Sequence, residues 1–180
     1  MFCFSSIKNL TMKGLFSFIL LLSITITTAF AQNAPGEVTT FILVRHAEKV
    51  DDSHDPDLSP EGYERAALLA IMLENIKFDA VYSTPLIRTT ETARAVAEKH
   101  KIDIIEYDHR NPEELTSEWI EKHRGEYVLI AGHSNSTPTF ANALLGREHF
   151  KEKFDESDYG NILIVTISGD GERHILHIRF

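Results

Sequence analysis

The chain has 180 residues, 43% of them hydrophobic and 25% charged, which excludes a disordered or fibrous protein and suits one domain with a real core. Its net charge of −9 argues against generic binding to nucleic acid or to an anionic membrane. A single cysteine, Cys3, excludes an internal disulfide and a Cys-based metal site.

Residues 12–31 carry Lys13, an apolar run from Leu15 to Leu22, and Ala29-Phe30-Ala31. A basic start, a short apolar segment and a small-x-small site predict a secretory signal peptide over residues 1–31, cleaved after Ala31. Ser23, Thr25, Thr27 and Thr28 interrupt the run, so it falls short of the ~20 clean apolar residues of a membrane anchor. Either Met1 or Met12 serves as the start. Cleavage removes Cys3 and, of the charged residues, only Lys8 and Lys13, so the product is more acidic still. The expectation is a soluble exported protein, periplasmic or secreted, with no stable membrane insertion.

Residues 32–37, with Pro35-Gly36, read as a linker into a domain spanning 38–180. Val38 to Val44 is β-branched and nearly all apolar, as a strand buried on both faces of a parallel sheet would be. It ends in Arg45-His46. A polar loop, Ala47 to Asp57, follows. Ser59 then suits a helix N-cap, Pro60 the first helical position, and Glu61 the positive end of the dipole. Ala66, Ala67, Ala70, Ile71 and Leu73 are the expected core face of that helix. Phe78 to Tyr82 reads as a second strand, Ser83-Thr84-Pro85 as a turn, and Leu86 to Lys99 as a helix with Arg88 in its first turn. Ile102 to Ile105 is a third strand, leading to a polar loop from Glu106 to Pro112. Thr116 or Ser117 is expected to cap a short helix containing Trp119. Tyr127 to Ala131 is a fourth buried strand, followed by Gly132-His133-Ser134 and a helix from Thr137 to Leu145. Asn161 to Ile167 and Arg173 to Phe180 flank a turn, Ser168 to Gly171, and read as a hairpin. The alternation predicts an α/β fold: a mostly parallel central sheet, helices on both faces, and a C-terminal antiparallel hairpin at the edge.

Open α/β sheets bind ligands beyond the carboxyl ends of their strands. Those ends hold Arg45 and His46, Ser83 and Arg88, the loop around Asp108, and His133. A neutral imidazole is a competent nucleophile near neutral pH. A moving phosphoryl group spreads charge over three oxygens, which two guanidiniums and a second, protonated imidazole can hold. The set therefore points to phosphoryl transfer onto His46, followed by hydrolysis of the phosphohistidine. That chemistry calls for no metal and no cofactor.

Four segments resemble motifs of the histidine phosphatase superfamily, the phosphoglycerate-mutase-like fold. Arg45-His46-Ala47-Glu48 resembles its Arg-His-Gly motif. Leu58-Ser59-Pro60-Glu61-Gly62 resembles the Leu-Thr/Ser-x-x-Gly that opens the next helix. Ser83-Thr84-Pro85-Leu86-Ile87-Arg88, with Thr92-Ala93 beyond, resembles Ser-x-Pro-x-x-Arg-x-x-x-Thr-Ala, and Gly132-His133-Ser134 resembles the Gly-His motif. The resemblance covers about Thr40 to Gly146. It implies His46 as the phosphorylated residue, with Arg45, Arg88 and His133 forming the phosphate pocket. Ala47 departs from the usual glycine. Where many members place a phosphate-binding asparagine, this chain has Asp51-Asp52-Ser53, leaving Ser53 or Lys49 for that role. The family often takes a general acid from the loop after the third strand, which implies Asp108, with Glu106 next. With no long inserted cap, the site should be open and shallow.

The leading expectation is an exported, metal-independent phosphatase acting on a phosphomonoester, either a phosphorylated small molecule or a phosphoprotein. The alternatives are a non-catalytic phosphate-binding module and a metal-dependent hydrolase using His46, His54 and His133. Glu48 is expected to pair with an arginine, and the remaining histidines, His109 among them, to lie on the surface or at edges. The aspartates of residues 51–57 lack the spacing of an EF-hand.

Overall fold

A computed structural model describes residues 37–180; the expected signal peptide, its cleavage point and residues 32–36 of the expected linker lie outside the described residues. Ten elements follow one another. They are β1 (Thr39–Arg45), α1 (Pro60–Met72), β2 (Ala80–Ser83), α2 (Ile87–His100), β3 (Ile104–Glu106), α3 (Pro112–Lys122), β4 (Tyr127–Gly132), α4 (Ser136–Leu145), β5 (Asn161–Ile167) and β6 (Arg173–Arg179). They build one six-stranded sheet in the order β3-β2-β4-β1-β5-β6. β1, β2, β3 and β4 run parallel, β5 pairs antiparallel with β1, and β6 closes the edge against β5. This is the α/β sheet with an antiparallel edge pair that the apolar pattern predicts.

The pleat of β1 sorts its side chains between two cores. Phe41 and Leu43 face Trp119 of α3 and Phe140, Leu144 and Leu145 of α4. Ile42 and Val44 face Leu69, Ala70 and Leu73 of α1 and Ala93, Val96 and Ala97 of α2. Helices therefore cover both faces, and Phe41 to Val44 are at most 2% exposed. Burying one such side chain is worth about 1.5–3 kcal/mol, so the centre of the sheet is firmly anchored. Arg45 and His46 stand directly after it.

Two details of the helices differ from expectation. The core face of α1 is Gly62, Ala66, Leu69 and Ala70, while Ala67 and Ile71 are exposed. The stripe starts at Gly62 because that residue lies under the chain at Glu48: a Cβ there would stand 2.2 Å from the Glu48 carbonyl oxygen. The helix holding Trp119 begins at Pro112 rather than being capped by Thr116 or Ser117. Pro112 occupies its first turn beside Glu113 and Glu114, both favourable there. The Thr116 and Ser117 hydroxyls donate back to the Glu113 carbonyl from inside the helix. Among the described residues, no helix is long and apolar enough to cross a membrane.

Candidate active site

The carboxyl ends of β1, β2 and β4 open into a cleft of about 470 Å³. Arg45, His46, Arg88 and His133 all line it, as their positions after the strands lead one to expect. The His46 and His133 rings lie edge to face with centroids 5.6 Å apart.

His46 is 4% exposed, and its Nδ1 lies 2.7 Å from the carbonyl oxygen of Ala47. A carbonyl only accepts, so Nδ1 carries the proton and Nε2 keeps its lone pair. Burial, aided by the charges of Arg45 and Arg88, pulls the His46 pKa down to about 4, against the smaller opposing effect of the Ala47 hydrogen bond. The loop is held from the other side by α2: the Ala47 N–H donates to the Thr92 hydroxyl at 2.9 Å, and that hydroxyl donates to the Arg88 carbonyl. Ala47 is accommodated against Leu58, Ala66 and Ala95, which explains why a methyl group is tolerated in place of glycine.

His133 follows the last residue of β4. Its N–H donates to the Ser136 hydroxyl, and its Nε2 shares a hydrogen bond with the Thr84 hydroxyl at 2.9 Å. Gly132 permits this turn, since a Cβ there would meet Ser136 Oγ at 2.9 Å and the Tyr107 hydroxyl at 3.1 Å. Burial first, then the neighbouring His46 and Arg88, pushes the His133 pKa down to about 3. The phosphate chemistry expected above calls for a protonated imidazole here; desolvation instead holds His133 neutral.

Arg88 sits in the first turn of α2, where a cation opposes the helix dipole. Asp55 offsets this. Its carboxylate accepts the Ile87 N–H at 2.8 Å and stands 3.7 Å from the Arg88 guanidinium. The other loop aspartates have partners of their own, Asp51 the Ser53 N–H, Asp52 Lys49, and Asp57 both the Leu58 N–H and the Tyr63 hydroxyl. Among the described residues, no group of three or more His, Cys, Asp or Glu is placed to hold a metal ion.

Arg45 is 2% exposed and does more than line the cleft. Its Nη1 donates to the carbonyls of Asp155, Glu156 and Asp158, and its Nη2 to the Glu156 carboxylate at 2.9 Å. The guanidinium carbon lies 4.2 Å from the centre of the Tyr159 ring. Arg45 thus seats the chain at 155–159 over the site, and its buried Nε has no partner among the described residues. Glu156 also accepts from Ser134 and Lys153, contacts that hold its carboxyl below the usual range.

Two expected site residues lie elsewhere. Ser53 is exposed, does not line the cleft, and its N–H caps Asp51. Asp108 is also outside the cleft. It accepts from the backbone N–H and the guanidinium of Arg110, and that pairing pulls its pKa to about 2. A carboxylate so held carries no proton to give near neutral pH. The loop turns the next residue, His109, inward instead, with its ring centroid 5.6 Å from that of His133. Glu106 ends β3, exposed and away from the cleft. Helix α1 also stays out of the cleft, and its Gly62 N–H is capped by Ser59. Glu48 pairs with Arg65 at 2.7 Å, as expected of it. The residues that sequence reasoning missed are His109, Ser134, Asn135, Lys153 and Glu156. The adjacency of Ser134 and Asn135 to His133 was a usable signal for those two. Lys153 and Glu156 come from a segment without periodicity.

A model described as the histidine phosphatase superfamily (branch 1) matches residues 41–110. Phosphoserine phosphatase 1 of Hydrogenobacter thermophilus is 42% identical over 74 residues, covering 37% of this chain and 35% of that protein, so the match spans about a third of the relative's length. Among solved structures, Bacillus stearothermophilus YhfR superposes with a TM-score of 0.63 at 20% identity, over 76% of this chain and 95% of that one. Phosphoserine phosphatase from Entamoeba histolytica superposes with a TM-score of 0.61 at 18% identity, over 79% and 97%. Residues 41–110 thus resemble the histidine phosphatase superfamily, and the fold of the chain is the histidine phosphatase fold.

Proposed function

We propose that the chain is a phosphatase that hydrolyses a phosphomonoester through a phosphohistidine on His46. The observation that carries this reading is the state of His46 itself. It is a buried neutral imidazole with Nδ1–H tied to a carbonyl, so Nε2 is free to attack. Arg88 and His133 stand around it in a cleft of a size that admits a small phosphorylated molecule. An entering phosphate dianion favours the charged form of His133, which then binds an equatorial oxygen alongside Arg88. The phosphoryl group passes to His46 Nε2, the alcohol leaves, and water then releases phosphate. The named activity of the phosphoserine phosphatases that this chain resembles fits a small phosphomonoester as substrate.

Brief reaction with a 32P-labelled phosphomonoester, then denaturation, is expected to leave an acid-labile, base-stable label on His46. A label on any other residue overturns the mechanism. The chain is further proposed to be exported, on the strength of Lys13, the apolar run and Ala29-Phe30-Ala31. Mass spectrometry of the protein recovered from its native cells is expected to give an N-terminus at Gln32, and retention of residues 12–31 contradicts export.

A further inference from the structure

A leaving alkoxide needs a proton, and the cleft offers few groups able to supply one. Glu156 is held ionised by Ser134, Lys153 and Arg45. Asp108 points to Arg110 and away from the cleft. His133 is tied to Thr84 beside the nucleophile, in the place of a phosphate ligand. His109 remains. It stands on the cleft wall, exposed to solvent, at the end of a row of three rings: His46 to His133 and His133 to His109 are each 5.6 Å between centroids. It is exposed where His46 and His133 are buried, so it stands on their solvent side.

We propose that His109 is the proton donor to the leaving oxygen. This assignment rests on the phosphatase reading above. As His46 Nε2 forms the P–N bond, the P–O bond to the leaving group breaks. The imidazolium N–H of His109 passes its proton to that oxygen, so an alcohol departs and His109 is left neutral. In the second half, water attacks phosphorus and the P–N bond breaks. The proton released by the water returns to His109, and the sum is ester plus water giving alcohol plus phosphate. The one-residue shift from Asp108 to His109 replaces a carboxylic acid with an imidazolium as the proton source.

The test compares His109→Gln with the unaltered protein on phenyl phosphate and on p-nitrophenyl phosphate. It is read in kcat/KM, which covers only the steps through departure of the leaving group. Phenolate needs a proton and p-nitrophenolate hardly does. His109→Gln is expected to lower kcat/KM for phenyl phosphate on the order of 10²-fold, the contribution of a positioned general acid, and to change p-nitrophenyl phosphate by no more than about threefold. An equal fall for both substrates, or no fall for either, overturns the assignment. So does a loss selective for phenyl phosphate in Asp108→Asn. Trapping on the unaltered protein separates the two levels: label on His46 with no selective effect of His109→Gln removes only the proton donor, whereas absence of label on His46 removes the phosphatase reading itself.

Discussion

His46 and His133 are both kept neutral by burial, and this has a consequence for stability. Their pKa values fall from the ordinary 6.5 to about 4 and about 3 in the folded chain. Between those values and 6.5 the unfolded chain binds more protons than the folded one. Stability is therefore unaffected by these groups above pH 6.5 and falls as the pH drops toward 4. For His46 alone the loss is on the order of 3 kcal/mol. Urea unfolding from pH 7 to 4.5 is expected to show a midpoint that declines with acid, and His46→Asn to flatten that decline. A decline of equal slope in the variant contradicts the assignment. Residues after strand ends were legible because alternation and apolar runs locate a strand end to within a residue or two, which sufficed for Arg45, His46, Arg88 and His133. Asp108 and Ser53 were misplaced because periodicity says nothing of which way a loop residue points. A rotation by one position exchanges Asp108 for His109, and in this loop Asp108 turns to Arg110.

Elements meet at Gly62, in the first turn of α1, directly beneath the loop that follows His46. The Ser59 N–H donates to the Glu48 carbonyl at 2.9 Å, and a Cβ on Gly62 would enter the same carbonyl at 2.2 Å. Gly62 has no need of unusual dihedral freedom there; it is needed for space. Gly62→Ala is expected to cost about 1–3 kcal/mol, the usual price of overpacking, since backbone cannot yield as a flexible side chain would. Urea unfolding measures this, and an unchanged midpoint would show that α1 shifts freely. The start of α1 was readable from Ser59-Pro60-Glu61 because capping chemistry is local. The start of α3 at Pro112 was not. Thr116 and Ser117 are good capping residues, and their hydroxyls found a carbonyl inside the helix instead.

At the scale of the whole molecule, the architecture was legible because each layer of it is written as a run of similar residues. Four apolar segments separated by helical ones leave few parallel arrangements. What was hidden was the long-range part of the site. Glu156 lies 111 positions after Arg45 yet accepts its guanidinium, and nothing near either residue announces the pairing. The two borders of the sheet carry a different consequence. β3 is three residues long, and β6 presents Arg173, His174, His177 and Arg179 along its length. A second sheet approaching either border finds too little open backbone on one side and, on the other, a strand begun and ended by arginines. Two copies that collide by their edges are thereby discouraged from zipping together, at the two ends of the sheet and away from the strand that leads into Arg45 and His46.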